Sequence, residues 1–346
     1  MTGQVNIVGA GGWGTALAVL LARKGIRVLL YARRPEIAAE IAVARENRRL
    51  LPGIRFPDGV TVTADISRIT EEKADAIVMA VPSHGLRAVA VRLKEWRKSS
   101  GIVMSVVKGL EEDTLLPPSG ILKEAMGVEA GQFCVLSGPS HAEEVAREIP
   151  TAVVAAGSVP ATVELVQKVF HTPRFRVYTR SDVTGVELGG ALKNVIAIAC
   201  GVGDGLGFGD NTRAAIITRG LAEITRLGVA RGARRETFWG LAGVGDLVVT
   251  CDSAWSRNRG LGLRIGRGES LDAILTDMQQ VAEGVHASRA ACRIARSLGV
   301  EIPITEQVRS VLFEGKPPSQ GMKELLSREA RSEEEPDYSR QMKTGG

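Results

Sequence analysis

The chain is 346 residues long, more than one hydrophobic core usually serves, so two domains are expected. With 44% hydrophobic and 24% charged residues it reads as a globular protein. No uninterrupted apolar run reaches the ~18 residues of a membrane span, and the N-terminus lacks a secretory pattern, so a cytoplasmic location is expected. The net charge of +5 could suit nucleic acid, but the densest basic cluster, Arg231 to Arg235, has no interleaved aromatics and reads as a solvated face, so no nucleic-acid partner is expected.

In chain order, QVNIVGAG reads as a buried strand, GTALAVLLARKG as the helix after it and IRVLLYARR as a second strand. DAIVMAVPS, GIVMSVVKG and FCVLSGPS are further strands, each ending in Gly, Ser or Pro, and PTAVVAAG is one more. Strands alternating with helices imply an α/β fold, a Rossmann-type doubly wound parallel sheet with helices on both faces. Beyond about residue 180 the pattern turns helical. VELGGALKNVIAIACGVGDGLG and NTRAAIITRGLAEITRLGV read as long helices whose many small residues suggest close packing. LDAILTDM, SRAACRIARSLGV and TEQVRSVLFEG continue in that style. The expected division is a dinucleotide-binding domain over 1–178, a mostly α-helical substrate and catalytic domain over 179–327, and a polar, disordered tail over 328–346. Cys134, Cys200, Cys251 and Cys292, like the four histidines, are scattered without metal-ligand spacing, so neither a disulfide framework nor a metal is expected.

Gly9, Gly11 and Gly14 fit GxGxxG between a strand and a helix, the context that makes this common pattern a dinucleotide site. Gly9 permits the tight turn, Gly11 lets the backbone approach a pyrophosphate, and Gly14 lets helix and strand pack closely. The helix N-terminus then offers N–H groups to the anion. The second strand ends in Tyr31-Ala32-Arg33-Arg34 instead of the acidic residue of an NAD site. Guanidinium forks suit a 2′-phosphate, so NADPH is expected to serve at least as well as NADH. In the helical half, Lys193 and Asn194 stand on an otherwise apolar helix, where a lysine loses its hydration and its pKa falls. Lys108 and Ser137-Gly138-Pro139-Ser140 follow strands at the carboxyl edge of the sheet, where ligands bind in this fold class. Asp246 is a lone carboxylate among glycines and apolar residues, and Ser256-Arg257-Asn258 supplies a cation and donors suited to phosphate.

GAGGWGTALA, SVVKGLE, SGPSHAEEV, the ELGGALKN block, AGVGDLVVTC, SRNRGLG and QVAEGV, in this order, resemble the signature segments of bacterial NAD(P)-dependent glycerol-3-phosphate dehydrogenase from about residue 4 to about 315. The resemblance implies interconversion of dihydroxyacetone phosphate and sn-glycerol 3-phosphate, feeding glycerophospholipid synthesis, with NADPH/NADP or NADH/NAD as cofactor, no metal and a homodimeric state. It makes Lys193 the catalytic acid/base, with Lys108, Gly138, Ser140, Asp246, Ser256, Arg257 and Asn258 around the substrate. Gly12, Trp13, Arg33, Arg34, Ala142, Val281 and Glu283, with Lys108 and Arg257, match the cofactor contacts. Gly12 stands where the family often has Ser, and His141 where Phe is common. The runner-up readings are a 6-phosphogluconate or 3-hydroxyacid dehydrogenase, which also carries a lysine on a helix of its second domain, and a dinucleotide-binding redox sensor. SRN with GVGDL speaks against the first, and Lys193 with Asp246 against the second.

Overall fold

The structure is a computed structural model that describes residues 3–98, 101–278, 280–329 and 332–333. The chain divides into two compact units. The first runs through Val107 and resumes over Pro118–Val183; the second comprises Lys108–Pro117 and the chain from Thr184. The expected boundary at 178/179 cuts a strand that pairs within the first unit, and the excursion of Lys108–Pro117 carries no periodicity that would reveal it. Of the expected tail, only 328, 329, 332 and 333 are among the described residues.

The first unit is built on eight strands: β1 (Gln4–Val8), β2 (Arg27–Tyr31), β3 (Val60–Thr63), β4 (Ala76–Met79), β5 (Ile102–Ser105), β6 (Phe133–Ser137), β7 (Thr151–Ala156) and β8 (Phe175–Arg180). Their order is β3-β2-β1-β4-β5-β6-β7-β8. The central strands β1, β4, β5 and β6 are buried along their whole length, which is why they read as continuous apolar runs. The first six strands are parallel, while β7 pairs antiparallel with β6 and parallel with β8. The link between β6 and β7 holds one five-residue helix, and a short link favours antiparallel pairing where a parallel one needs a long crossover. The edge strands β3 and β8 were not expected. Their residues alternate buried and exposed or stop after four, so neither presents a hydrophobic run.

Helices α1 (Gly12–Arg23), α2 (Pro35–Ala44), α3 (Ser67–Glu71), α4 (Leu86–Arg92), α5 (Pro118–Met126), α6 (Ala142–Ala146) and α7 (Pro160–Phe170) complete this unit. Strand order reverses between β1 and β4, which opens a crevice at their carboxyl ends.

The second unit is helical among its described residues. Its spine is α8 (Val183–Gly205), followed by α9 (Asp210–Ala230), α10 (Arg235–Phe238), α11 (Asp246–Asp252), α12 (Arg257–Gly266), α13 (Leu271–Asp277), α14 (Glu283–Leu298), α15 (Pro303–Phe313) and α16 (Pro318–Leu326). Helix α8 is long and apolar enough to cross a membrane, yet its apolar stretch is buried inside the protein, with every residue from Gly185 to Gly203 covered. Its glycines make this possible. A Cβ on Gly201 would lie 2.0 Å from the Arg259 carbonyl oxygen, and one on Gly262 would lie 2.1 Å from that of Ile198. Helices α8 and α12 therefore cross backbone against backbone.

Candidate active site

The glycine-rich turn sits at the reversal point of the sheet, between β1 and α1. Gly9 has φ +122°, and a Cβ there would lie 2.4 Å from the Ala80 carbonyl oxygen beyond β4. A Cβ on Gly14 would lie 2.0 Å from the Gly9 oxygen, so the turn, the strand and the helix close only on glycine. Gly11 differs: among the described residues nothing lies within 4 Å of its Cβ position, which leaves room for a pyrophosphate at the start of α1. The buried indole Nε1 of Trp13 has no hydrogen-bond partner among the described residues, as fits a donor that awaits a ligand. A Cβ on Gly12 would come within 3.1 Å of the Leu50 oxygen and 3.7 Å of Ala142 Cβ. Gly12 and Ala142, two expected cofactor contacts, are thus neighbours, and the serine common at position 12 would be tight here. Arg33 and Arg34 are exposed beyond the end of β2. Gly138 (φ +127°) and Ser140, whose hydroxyl donates to the Gly138 oxygen at 2.8 Å, follow β6. These residues fit a dinucleotide.

The candidate catalytic groups collect in the second unit around one carboxylate. Asp246 opens α11 just after a kinked turn, Leu241–Gly245, that bends at Gly243, and it is 1% exposed. Lys193 of α8 donates from Nζ to Asp246 Oδ1 and, at 2.8 Å, to Thr250 Oγ1. Lys108 donates from Nζ to Asp246 Oδ2 at 2.8 Å. Thr250 in turn donates to the Asp246 carbonyl oxygen at 2.6 Å. One carboxylate between two ammonium groups leaves a net positive charge in a buried site.

Burial and these charges together set the pKa values. Burial drives the Lys193 pKa down to about 7; Asp246 opposes the shift and the Lys108 charge adds to it. Burial also works against ionisation of Asp246, but the Lys108 and Lys193 ammonium groups outweigh it and hold that carboxyl below the usual range. A lysine that gains or loses its proton near neutrality is suited to general acid/base work.

A chain of buried amides supports this core. Asn194 Nδ2 donates to the Lys108 carbonyl oxygen at 3.1 Å, Asn258 Nδ2 to Asn194 Oδ1 at 2.9 Å, and the Gly284 N–H to Asn258 Oδ1 at 2.9 Å. The expected anion-binding triplet forms the start of α12. Ser256 caps the helix by accepting from the Arg259 N–H, Asn258 is engaged in the amide chain, and Arg257 is exposed, with Nη1 donating to the Val281 oxygen at 3.1 Å. Arg257 and Val281 thus meet, and Glu283 opens α14 two residues later. The sequence reading missed Thr250. Its spacing of four residues from Asp246 on a helix, which puts both on one face, was the available signal.

Comparisons with known proteins place the whole chain in one family. Residues 4–162 match the N-terminal domain, and residues 182–323 the C-terminal domain, of NAD-dependent glycerol-3-phosphate dehydrogenase. The chain is 50% identical over 331 residues, 95% of this chain and 99% of the relative, to glycerol-3-phosphate dehydrogenase [NAD(P)+] of Chlorobium limicola. It is 48% identical over 334 residues, 96% and 99% of the two chains, to that of Geobacter sulfurreducens. The crystal structure of the glycerol-3-phosphate dehydrogenase of Coxiella burnetii superposes with a TM-score of 0.90 at 38% identity, covering 94% of this chain and 99% of that one. The chain, an NAD(P)-dependent oxidoreductase, therefore belongs to the NAD-dependent glycerol-3-phosphate dehydrogenase family.

Proposed function

We propose that the protein reduces dihydroxyacetone phosphate to sn-glycerol 3-phosphate in the cytoplasm, supplying glycerophospholipid synthesis, with Lys193 as the acid that protonates the C2 oxygen. The observation that carries this reading is the buried Lys193–Asp246–Lys108 cluster, with Lys193 brought to about 7. When bound, the reduced nicotinamide supplies hydride to C2. Lys193 gives its Nζ proton to the developing alkoxide and remains in place as a neutral amine. Asp246 and Thr250 aim that ammonium. Lys108, the second cation, stabilises negative charge on the substrate. Arg257 and the first turn of α12 receive the phosphate, as a guanidinium and a helix N-terminus do. Gly138 and Ser140 add contacts to the substrate. Glu283 and Val281 belong to the cofactor side, and Arg33 and Arg34 favour NADPH through its 2′-phosphate. The working form is a homodimer.

NADPH oxidation with dihydroxyacetone phosphate, against unphosphorylated dihydroxyacetone, tests the reading. A strong dependence on the phosphate is expected, with kcat/KM for NADPH at least equal to that for NADH. Lys193→Ala should abolish turnover while NADPH affinity stays close to that of the parent. No rate with either ketone, from protein that binds NADPH, would rule out this substrate.

A further inference from the structure

Asp204 lies in the last turn of α8, where the negative end of the helix dipole disfavours a carboxylate, and its side chain is only 9% exposed. Arginines from two other helices hold it there. Arg213 of α9 directs Nε at 3.2 Å and Nη2 at 2.8 Å onto Oδ1, and Arg259 of α12 directs Nε at 2.8 Å onto Oδ2. Both also reach the end of α11. Arg213 Nη1 lies 3.4 Å from Asp252 Oδ1, and Arg259 Nη1 donates to the Asp252 oxygen at 3.3 Å. Four helices therefore converge on one half-buried ion cluster.

Arg259 is the third residue of α12, and its own N–H is held by Ser256 Oγ at 3.2 Å. The glycine seam between α8 and α12 fixes how closely these helices approach. Glycines offer no knobs, however, so the seam alone does not fix the rotation of α12 or its slide along α8. The Asp204–Arg259 pair, at the edge of that seam, supplies the missing constraint.

We propose that Asp204 is a positioning residue that holds the first turn of α12, and with it Arg257, in the register that receives the substrate phosphate. The proposal rests on the reading that this turn is the phosphate site. A cluster that served stability alone would need no particular relation to that site, whereas this one grips the residue next to Asn258 and two beyond Arg257.

The test is steady-state kinetics of Asp204→Asn, with inorganic phosphate as a competitive inhibitor that undergoes no chemistry. KM for dihydroxyacetone phosphate and Ki for phosphate should rise together, each on the order of tenfold, as for loss of one charge-assisted contact. The kcat and the pH limb assigned to Lys193 should hold. Asp204→Glu should recover part of the loss. Arg259→Gln breaks the same contact from its more exposed side, so it serves if Asp204→Asn folds poorly, and the same paired rise is expected. Unchanged KM and Ki in a variant with lowered Tm would overturn the proposal and leave a purely structural cluster. Arg257→Ala separates the two readings. If it raises both constants and Asp204→Asn does not, only the positioning role fails. If it raises neither, the phosphate assignment fails, and the proposal with it.

Discussion

A lysine in an apolar helix is legible in a sequence because its hydration must be replaced by something. Lys193 and Asp246 stood out as isolated charges and Lys108 by its place at the carboxyl edge of the sheet, and each enters the same cluster. The fourth member, Thr250, did not, because a threonine inside a helix is ordinary and only its partners give it a role. The cluster makes a pH prediction. With Lys193 in the proposed role of acid, kcat/KM for dihydroxyacetone phosphate should fall as pH rises through about 7, and the oxidative direction should gain over the same range. Lys108→Ala removes a like charge that lowers the Lys193 pKa and leaves Asp246 to Lys193 alone. Both changes favour the ammonium form, so the limb should move alkaline by about one pH unit. The proposed substrate contact of Lys108 would be lost as well and lower the rate, which makes the position of the limb the informative quantity. A limb that stays near 7 in this variant would remove Lys108 from the tuning of Lys193.

At the scale of elements, sequence pattern served buried strands and long helices well, because burial on all sides leaves an unbroken apolar run. It failed at β3 and β8, where a sheet edge faces solvent and alternation replaces the run. The glycine and alanine content of α8 signalled close packing without saying against what. The partner is α12, through Gly201 and Gly262. Gly201→Ala would put a methyl carbon 2.0 Å from a backbone oxygen, and no rotamer change relieves a clash with main chain. Helix α12 must shift, at a cost of about 1–3 kcal/mol for overpacking. The start of α12 carries Arg257, so the lower Tm should come with a higher KM for the phosphorylated substrate. A lowered Tm with KM intact would mean that α12 accommodates the methyl at its far end.

At the scale of the molecule, the sequence suggested two contiguous domains, and the chain instead visits the second unit twice. No composition change marks Lys108–Pro117, because so short a segment carries its information in a few side chains. Leu110 is buried in the core of the second unit. Glu112 Oε1 lies 2.5 Å from His286 Nδ1 and Oε2 lies 3.4 Å from Arg289 Nη1, while its carbonyl oxygen accepts from Arg293. Lys108 supplies the second cation on Asp246. The core of the first unit draws on no residue of this segment. The two units should therefore respond unequally to being separated. Residues 1–183 with 108–117 replaced by a glycine-serine linker of equal length should melt cooperatively. A fragment of residues 184–329 leaves Asp246 with one ammonium partner, uncovers the site of Leu110, and strips α14 of its Glu112 contacts. The bared carboxylate oxygen of Asp246 alone costs ~1–3 kcal/mol, and the lost Leu110 packing adds to it, a sizeable share of the stability of a domain. The fragment should give a broad, non-cooperative thermal transition by circular dichroism. A sharp transition near that of the full chain would show that Lys108–Pro117 is a passenger on the second unit and no part of its fold.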